Sequence, residues 1–111
     1  MLIMNTKMYN ELVKCILDAL GNRAISIILY GSTAKGTDTP ESDVDIAIIV
    51  SRALNNAEED ALSDVVVDLN LKYDKVFSVI DIEDKTLKAW GDVIPFYKNV
   101  KKEGIILWKA A

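Results

Sequence analysis

Apolar positions recur along this chain with two periods, one typical of helices and the other typical of strands. The clearest helical period lies in residues 6–20, where leucine, isoleucine and valine recur three or four positions apart. Residues 24–30 are instead almost continuously apolar and rich in isoleucine, as in a strand that is covered on both faces. The same reasoning predicts a helical turn from Ser32 to Gly36, strands over 43–50, 75–82 and 105–108, and helices over 55–71, 84–90 and 95–103. The pattern therefore predicts an α/β fold, with a small mixed β-sheet flanked by helices.

The predicted helix over 55–71 fixes the relative direction of the two strands that it connects. Its 17 residues span about 25 Å at 1.5 Å per residue, which is about the length of the strand over 43–50. The helix therefore returns the chain to the edge of the sheet at which that strand begins. We expect strand 75–82 to run parallel to strand 43–50, through a right-handed crossover.

The length and composition favour one folded domain over residues 1–111. Half of the residues are apolar and only 2 are proline, which argues against a disordered chain. No apolar run approaches the roughly 18 residues that a membrane helix needs, and the first residues do not resemble a signal peptide. Cys15 is the one cysteine, so the chain cannot form an internal disulfide, which fits a reducing cytoplasm. We therefore expect a cytoplasmic protein with no membrane contact.

The charge balance bears on the kind of partner that the protein can bind. The chain has 17 acidic and 13 basic residues, which gives a net charge of −4. A domain that grips nucleic acid by itself normally presents a basic face, so direct nucleic-acid binding is not expected. The lysines between Lys98 and Lys102 are interpreted as one solvated face of the last predicted helix.

Two carboxylates stand at the predicted start of the second strand. Side chains two positions apart in a strand lie on one face, so Asp43 and Asp45 can converge on one hard cation or hold two cations. The simpler interpretation is that both residues lie at the wet end of the strand and bind nothing.

A Gly31-Ser32 pair follows the first predicted strand and opens the short helical turn. Backbone N–H groups and a hydroxyl at such a turn attract phosphate, and glycine lets a ligand approach the backbone closely. On its own the pair is more often an ordinary turn with Ser32 as the N-cap. Together with the two carboxylates it is more specific, because a chain reversal between the strands brings both features to one edge of the sheet. The combination predicts a nucleoside triphosphate site, where Lys35 and Arg52 could neutralise phosphate charge, although exposure without a ligand is their simpler interpretation.

The segments Gly31-Ser32-Thr33-Ala34-Lys35-Gly36 and Ser42-Asp43-Val44-Asp45-Ile46 resemble the signature of the DNA polymerase beta-like nucleotidyltransferase superfamily. The short chain is similar to the minimal nucleotidyltransferases that are paired with HEPN-domain proteins. The resemblance implies that Gly31, Ser32 and nearby amides hold the triphosphate of ATP. It also implies that Asp43 and Asp45 are catalytic and bind Mg²⁺, with two ions expected, while a hydroxyl attacks the α-phosphate and pyrophosphate leaves.

The family pattern asks for a third carboxylate on a neighbouring strand, and this chain offers two candidates. If strand 75–82 runs parallel to strand 43–50, Asp74 at its start is nearest to the predicted metal site. Asp81, near the other end, is then about 23 Å from Asp74 and too far away. The first positions inside the strand, 76–78, where the resemblance would put the third acid, hold none. Asp74 is therefore the third predicted metal ligand, with Asp81 or no third ligand as the alternatives.

Larger members of the superfamily carry a second domain that binds the acceptor, and 111 residues are expected to leave no room for one. The resemblance implies that a partner protein supplies the acceptor, with a HEPN toxin as the expected partner and antitoxin as the expected role. Three hypotheses stay open: an enzyme that transfers AMP to a partner's hydroxyl, a nucleotide-binding module that blocks the toxin by contact, and a small-molecule nucleotidyltransferase similar to aminoglycoside-modifying enzymes. Aromatic residues often anchor interfaces, so one partner contact is expected among Trp90, Phe96, Tyr97 and Trp108.

Overall fold

A computed structural model describes residues 6–37, 39 and 43–111. Its elements, in chain order, are α1 (Thr6–Leu20), a 3₁₀ turn (Gly21–Arg23), β1 (Ala24–Tyr30), α2 (Gly31–Lys35), β2 (Val44–Val50), α3 (Asn56–Tyr73), β3 (Phe77–Glu83), α4 (Asp84–Trp90), α5 (Pro95–Glu103) and β4 (Ile105–Lys109). Within these residues, no helix is long and apolar enough to cross a bilayer. The predicted α/β fold is confirmed.

The four strands of the described residues form one mixed sheet, in the order β3-β2-β1-β4. β1 runs antiparallel to both of its neighbours, β2 and β4. β2 and β3 are parallel, with Val44 opposite Phe77 and Val50 opposite Glu83. The predicted parallel pairing is confirmed, and its cause is the length of α3, which returns the chain to the starting edge of β2.

Helices cover both faces of this sheet. α1 and α3 pack on the face that includes Ile27 and Ile46, both fully buried. α4 and α5 lie on the opposite face, where Val100 of α5 packs with Ile28 and Ala47. Because both faces are buried, the sequences of β1 and β2 are almost continuously apolar instead of alternating with polar residues.

Polar contacts fix both ends of α3, the helix that leads into β3. At its start, the Asn55 side chain accepts a hydrogen bond from the Glu58 N–H at 2.8 Å, and the Glu58 carboxylate accepts one from the Asn55 N–H at 3.0 Å. At its end, the Glu11 carboxylate of α1 accepts hydrogen bonds from Lys72 at 2.8 and 2.9 Å and from the Tyr73 hydroxyl at 2.5 Å. The first pair of contacts caps α3, and the contacts of Glu11 hold the end of α3 against α1.

Candidate functional site

A row of three side chains crosses the sheet at the start of β2. Tyr30 at the end of β1 is the register partner of Asp45 on β2, and Asp45 is in turn the register partner of Ser78 on β3. Register partners in neighbouring strands present their side chains to the same face. That face is the one with Ala47 and Ile49, which α4 and α5 cover further along the strands. The row Tyr30-Asp45-Ser78 therefore lies at the open end of the α4–α5 face.

Two carboxylates lie at the start of β2, and that of Asp45 is at the centre of this row. Asp43 is exposed and lies one residue before β2, whereas Asp45 is partly buried within it. Burial raises the pKa of the Asp45 carboxyl above its ordinary value, and the charge of Asp43 raises it further. Within the part of the chain that the structure describes, no lysine or arginine forms an ion pair with either carboxylate. A pair of adjacent anionic groups without a positive partner has the chemistry of a hard-cation site.

Gly31 brings the start of α2 directly against the Asp45 carboxylate. Its φ of +75° lies in the left-handed region, and a Cβ added there would overlap Oδ2 of Asp45. Ser32 follows, and its hydroxyl has no hydrogen-bond partner among the described residues. Its carbonyl accepts the Thr37 N–H at 3.0 Å, which closes the short helix at Gly36. Gly31 and the Asp45 carboxylate, 14 positions apart in the sequence, are therefore in contact.

The donor chemistry of this site fits Mg²⁺, but with two carboxylates instead of three. Among residues 6–37, 39 and 43–111, no three Asp, Glu, His or Cys side chains converge to a metal-sized cluster. Asp43 and Asp45 are hard oxygen donors, and the Ser78 side chain stands beside Asp45 where a third donor would come from the neighbouring strand. Mg²⁺ usually takes only one or two carboxylates and completes its shell with water and phosphate oxygens, so two are sufficient for binding.

Neither candidate for the third acid, Asp74 or Asp81, lies in the row with Asp45. Asp74 ends α3 in the left-handed region, with a φ of +50°, and its N–H is hydrogen-bonded to the Asn70 carbonyl. Its predicted role as a metal ligand stays a prediction. Asp81 is the register partner of Ile48 and lies on the opposite face from Asp45, where it lines a cavity of about 500 Å³ between α3 and β3. Asp81 is therefore separated from the carboxylate pair by the sheet itself.

Sequence reasoning passed over Ser78 because it searched the third strand for an acid. The available signal was positional: once β3 runs parallel to β2, the residue level with Asp45 can be found by counting from the start of each strand. That count depends on a register which no local pattern in the sequence supplies.

Lys35 and Arg52, the two side chains that could neutralise phosphate charge, lie in different parts of the fold. Lys35 Nζ lies 3.1 Å from the Glu103 carboxylate, and both side chains are about half exposed, so the ion pair is weak and Lys35 can exchange it for another anion. Arg52 follows the far end of β2, where Val50 is already roughly 16 Å along the strand from Asp45. Of the two, only Lys35 is near the Gly-Ser segment.

Known proteins resemble this chain in sequence and in fold. Residues 10–107 match the model of the nucleotidyltransferase domain family, a range that includes Gly31, Ser32, Asp43 and Asp45. The chain belongs to this family. It is 33% identical over 102 residues to a protein of Methanocaldococcus jannaschii named "Putative protein adenylyltransferase", covering 92% of this chain and 96% of that protein. The protein is therefore a nucleotidyltransferase.

Solved structures share the fold of this nucleotidyltransferase. One is a chain in a crystal structure of a toxin–antitoxin with AMP-PNP, at a TM-score of 0.64 and 23% identity, covering 96% of this chain and 75% of that chain. Another is a chain in a structure of the tri-AMPylated Shewanella oneidensis HEPN toxin in complex with MNT antitoxin. It has a TM-score of 0.59 and 20% identity, and covers 96% of this chain and 74% of that chain. Because both identities are below 25%, these structures show only that the fold is shared.

Proposed function

We propose that this nucleotidyltransferase transfers AMP from ATP to a hydroxyl of a partner protein, and that the partner is a HEPN-type toxin which is thereby inactivated. The observation that carries the proposal is the contact between Gly31 and the Asp45 carboxylate, because it joins a phosphate-binding turn to a cation-binding pair. A triphosphate on the turn would present its α-phosphate beside the carboxylates.

In this proposal each residue of the site has one task. Asp43 and Asp45 hold Mg²⁺, and the Gly31-Ser32 segment holds phosphate oxygens through its amides and the Ser32 hydroxyl. Bound Mg²⁺ supplies positive charge that offsets the charge on the phosphates and on the departing pyrophosphate. The new bond joins the acceptor oxygen to the α-phosphorus, the α–β phosphoanhydride bond breaks, and the hydroxyl proton is released.

Support for a protein acceptor comes from the relatives and from the surface. The M. jannaschii relative is named as a protein adenylyltransferase, and the antitoxin structure contains an AMPylated toxin. The net charge of −4 suits a basic partner such as an RNA-cleaving enzyme, because opposite charges speed and orient encounter. Among the four aromatic residues of the interface prediction, Trp90 is 50% exposed and Phe96 is 41% exposed, whereas Tyr97 and Trp108 pack against the core. Trp90 is therefore the best candidate for the partner contact.

The decisive experiment is intact-mass spectrometry of a co-purified HEPN-type protein after incubation with ATP and Mg²⁺. Its mass should rise by one or more AMP units with the wild-type chain, and should stay constant with the double variant Asp43→Asn, Asp45→Asn. Size-exclusion chromatography at micromolar concentration should show one complex for both chains. Separate elution with no mass increase would refute the proposal and favour a small-molecule acceptor.

A second function is favoured by one observation, which is the serine at position 78. If transfer requires a third acid level with Asp45, the chain binds nucleotide and blocks the toxin by contact alone. The complex would then form without any mass increase. Ser78→Asp separates the two functions: a gain of transfer from zero supports the blocking antitoxin, whereas transfer already present in wild type excludes it.

A further inference from the structure

The ring of Phe96 contacts Tyr30, one end of the row Tyr30-Asp45-Ser78, which we call the carboxylate row. Phe96 is in the first turn of α5, and its ring centroid is 5.6 Å from that of Tyr30 in an edge-to-face arrangement of 85°. Tyr30 is itself opposite Asp45 and immediately precedes Gly31. Register partners in neighbouring strands present their side chains to one face, so Tyr30 has the Asp45 carboxylate on one side and the Phe96 ring on the other.

This ring is held in place and yet exposed. Pro95 precedes it and fixes the backbone at the start of α5, while Tyr30 and Tyr97 both contact its ring, each with centroids 5.6 Å apart. Phe96 nevertheless remains 41% exposed. Held rings that keep an open surface are good stacking partners, because little conformational freedom is lost when a flat ligand binds.

We propose that Phe96 is the stacking surface for the base of the bound nucleoside triphosphate. The inference rests on the proposed nucleotide site, in which the α-phosphate lies beside Asp43 and Asp45. In any nucleotide the ribose separates the α-phosphate from the base, so the base must lie one sugar away from the carboxylates. The Phe96 ring is displaced from Asp45 by one tyrosine side chain, on the same face of the sheet. Aromatic stacking accepts any base, and purines offer the larger surface, which favours ATP or GTP over pyrimidine nucleotides.

The test compares two ligands that differ in the presence of a nucleoside. Calorimetry with Mg²⁺ measures the affinities of wild type, Phe96→Leu and Phe96→Trp for ATP and for inorganic tripolyphosphate. Phe96→Leu keeps an apolar side chain but removes the ring, and should weaken ATP binding by about tenfold. Its affinity for tripolyphosphate should equal that of wild type, which also shows that the variant is folded. Phe96→Trp should restore ATP affinity because the ring is retained.

Trp90→Leu is the matched control. Trp90 is 50% exposed, and within the described residues it makes no ring contact with the tyrosine of the carboxylate row. Its replacement should leave both affinities unchanged. Equal weakening of ATP and tripolyphosphate by Phe96→Leu would overturn the inference, and so would unchanged ATP affinity. If transfer to the partner falls in Phe96→Leu while ATP affinity is unchanged, Phe96 contacts the acceptor and not the base. If wild type binds neither ligand, the proposed function itself has failed, and this inference with it.

Discussion

Replacing Gly31 with alanine tests the contact on which the proposed site depends. Gly31 and Gly36 both have a φ of +75°, but a Cβ added at Gly36 has nothing within 4 Å, whereas one added at Gly31 overlaps the Asp45 carboxylate. An L residue in this region costs roughly 1–2 kcal/mol, and the loss of glycine freedom in the unfolded chain returns about 0.4–1 kcal/mol. Gly36→Ala should therefore destabilise the fold by about 1 kcal/mol.

Gly31→Ala should cost about 1 kcal/mol more than Gly36→Ala. The added Cβ forces the Asp45 carboxylate out of its rotamer, which typically costs about 0.5–1.5 kcal/mol. For a chain of this length, the total of about 2 kcal/mol corresponds to a melting temperature lower by about 8 °C, against about 4 °C for Gly36→Ala. Only Gly31→Ala should also weaken Mg²⁺-dependent ATP binding, because only there is the carboxylate displaced.

A double-mutant cycle with Asp45→Ala isolates this contact. In the Asp45→Ala background the overlapping oxygen and its carbon are absent, so Gly31→Ala should cost no more than Gly36→Ala. Urea unfolding of the six chains measures the coupling, which we expect at about 1 kcal/mol. If the two glycine variants cost the same in both backgrounds, Gly31 does not approach Asp45 and the argument for one joint site fails.

Three further predictions follow from other residues. The raised pKa of Asp45 means that the folded state binds the carboxyl proton more tightly than the unfolded state does. Without metal, Asp45→Asn should therefore become more stable relative to wild type as pH rises from the ordinary aspartate pKa to the raised one. Urea midpoints of the two chains that differ by a constant amount across this range would contradict the prediction. The pKa of Glu11 is lowered, first by the hydrogen bond from Lys72, so its contribution to stability is complete above the ordinary glutamate pKa and is lost as pH falls through the lowered one. Glu11→Gln should flatten that part of the acid unfolding curve, whereas an unchanged curve would show that the bond does not form in solution. If Asp74 completes the metal site, Asp74→Asn should abolish transfer without unfolding, since asparagine tolerates the left-handed cap, and Asp81→Asn should do little; the reverse result would refute the assignment.

The elements of this fold could be predicted from sequence because each has a clear local pattern. Their ends were less predictable, as the junction of α3 and β3 shows. The helix was expected to end at residue 71 and the strand to begin at 75, but α3 continues to Tyr73 and β3 begins at Phe77. The left-handed cap at Asp74 and a hydrogen bond of 2.8 Å from the Phe77 N–H to the Asn70 side chain set these bounds. Neither feature belongs to the apolar periodicity from which the ends of the elements are predicted.

The sheet order shows the same division between local and long-range information. The parallel pairing of β2 and β3 was predictable from the length of α3, a local quantity. The pairing of β4 with the outer side of β1 was not, because two strands separated by most of the chain are brought together only by packing of the intervening helices. In the site, the proximity of Gly31 and Asp45 is predictable because a single chain reversal joins their strands. The position of Ser78 beside Asp45 is not, because it depends on the register of β2 and β3.

The serine at position 78 has a consequence for how metal and nucleotide bind. A hard cation is held largely by charge, and the described residues offer it two carboxylates here and no third. The remaining negative charge has to come from the ligand, whose phosphate oxygens lie beside Asp45 if they occupy the Gly31-Ser32 segment. Each of the two would therefore complete the binding site of the other: without Mg²⁺ the phosphates would face two carboxylates with only the half-exposed Lys35 as a positive partner, and without the phosphates Mg²⁺ would lack ligands. Burial and the charge of Asp43 raise the pKa of Asp45, so the ionised carboxylate is disfavoured until a cation lies beside it. In the proposed function, Mg²⁺ and the triphosphate would therefore bind as a unit, and the contact between Gly31 and Asp45 would couple their binding energies.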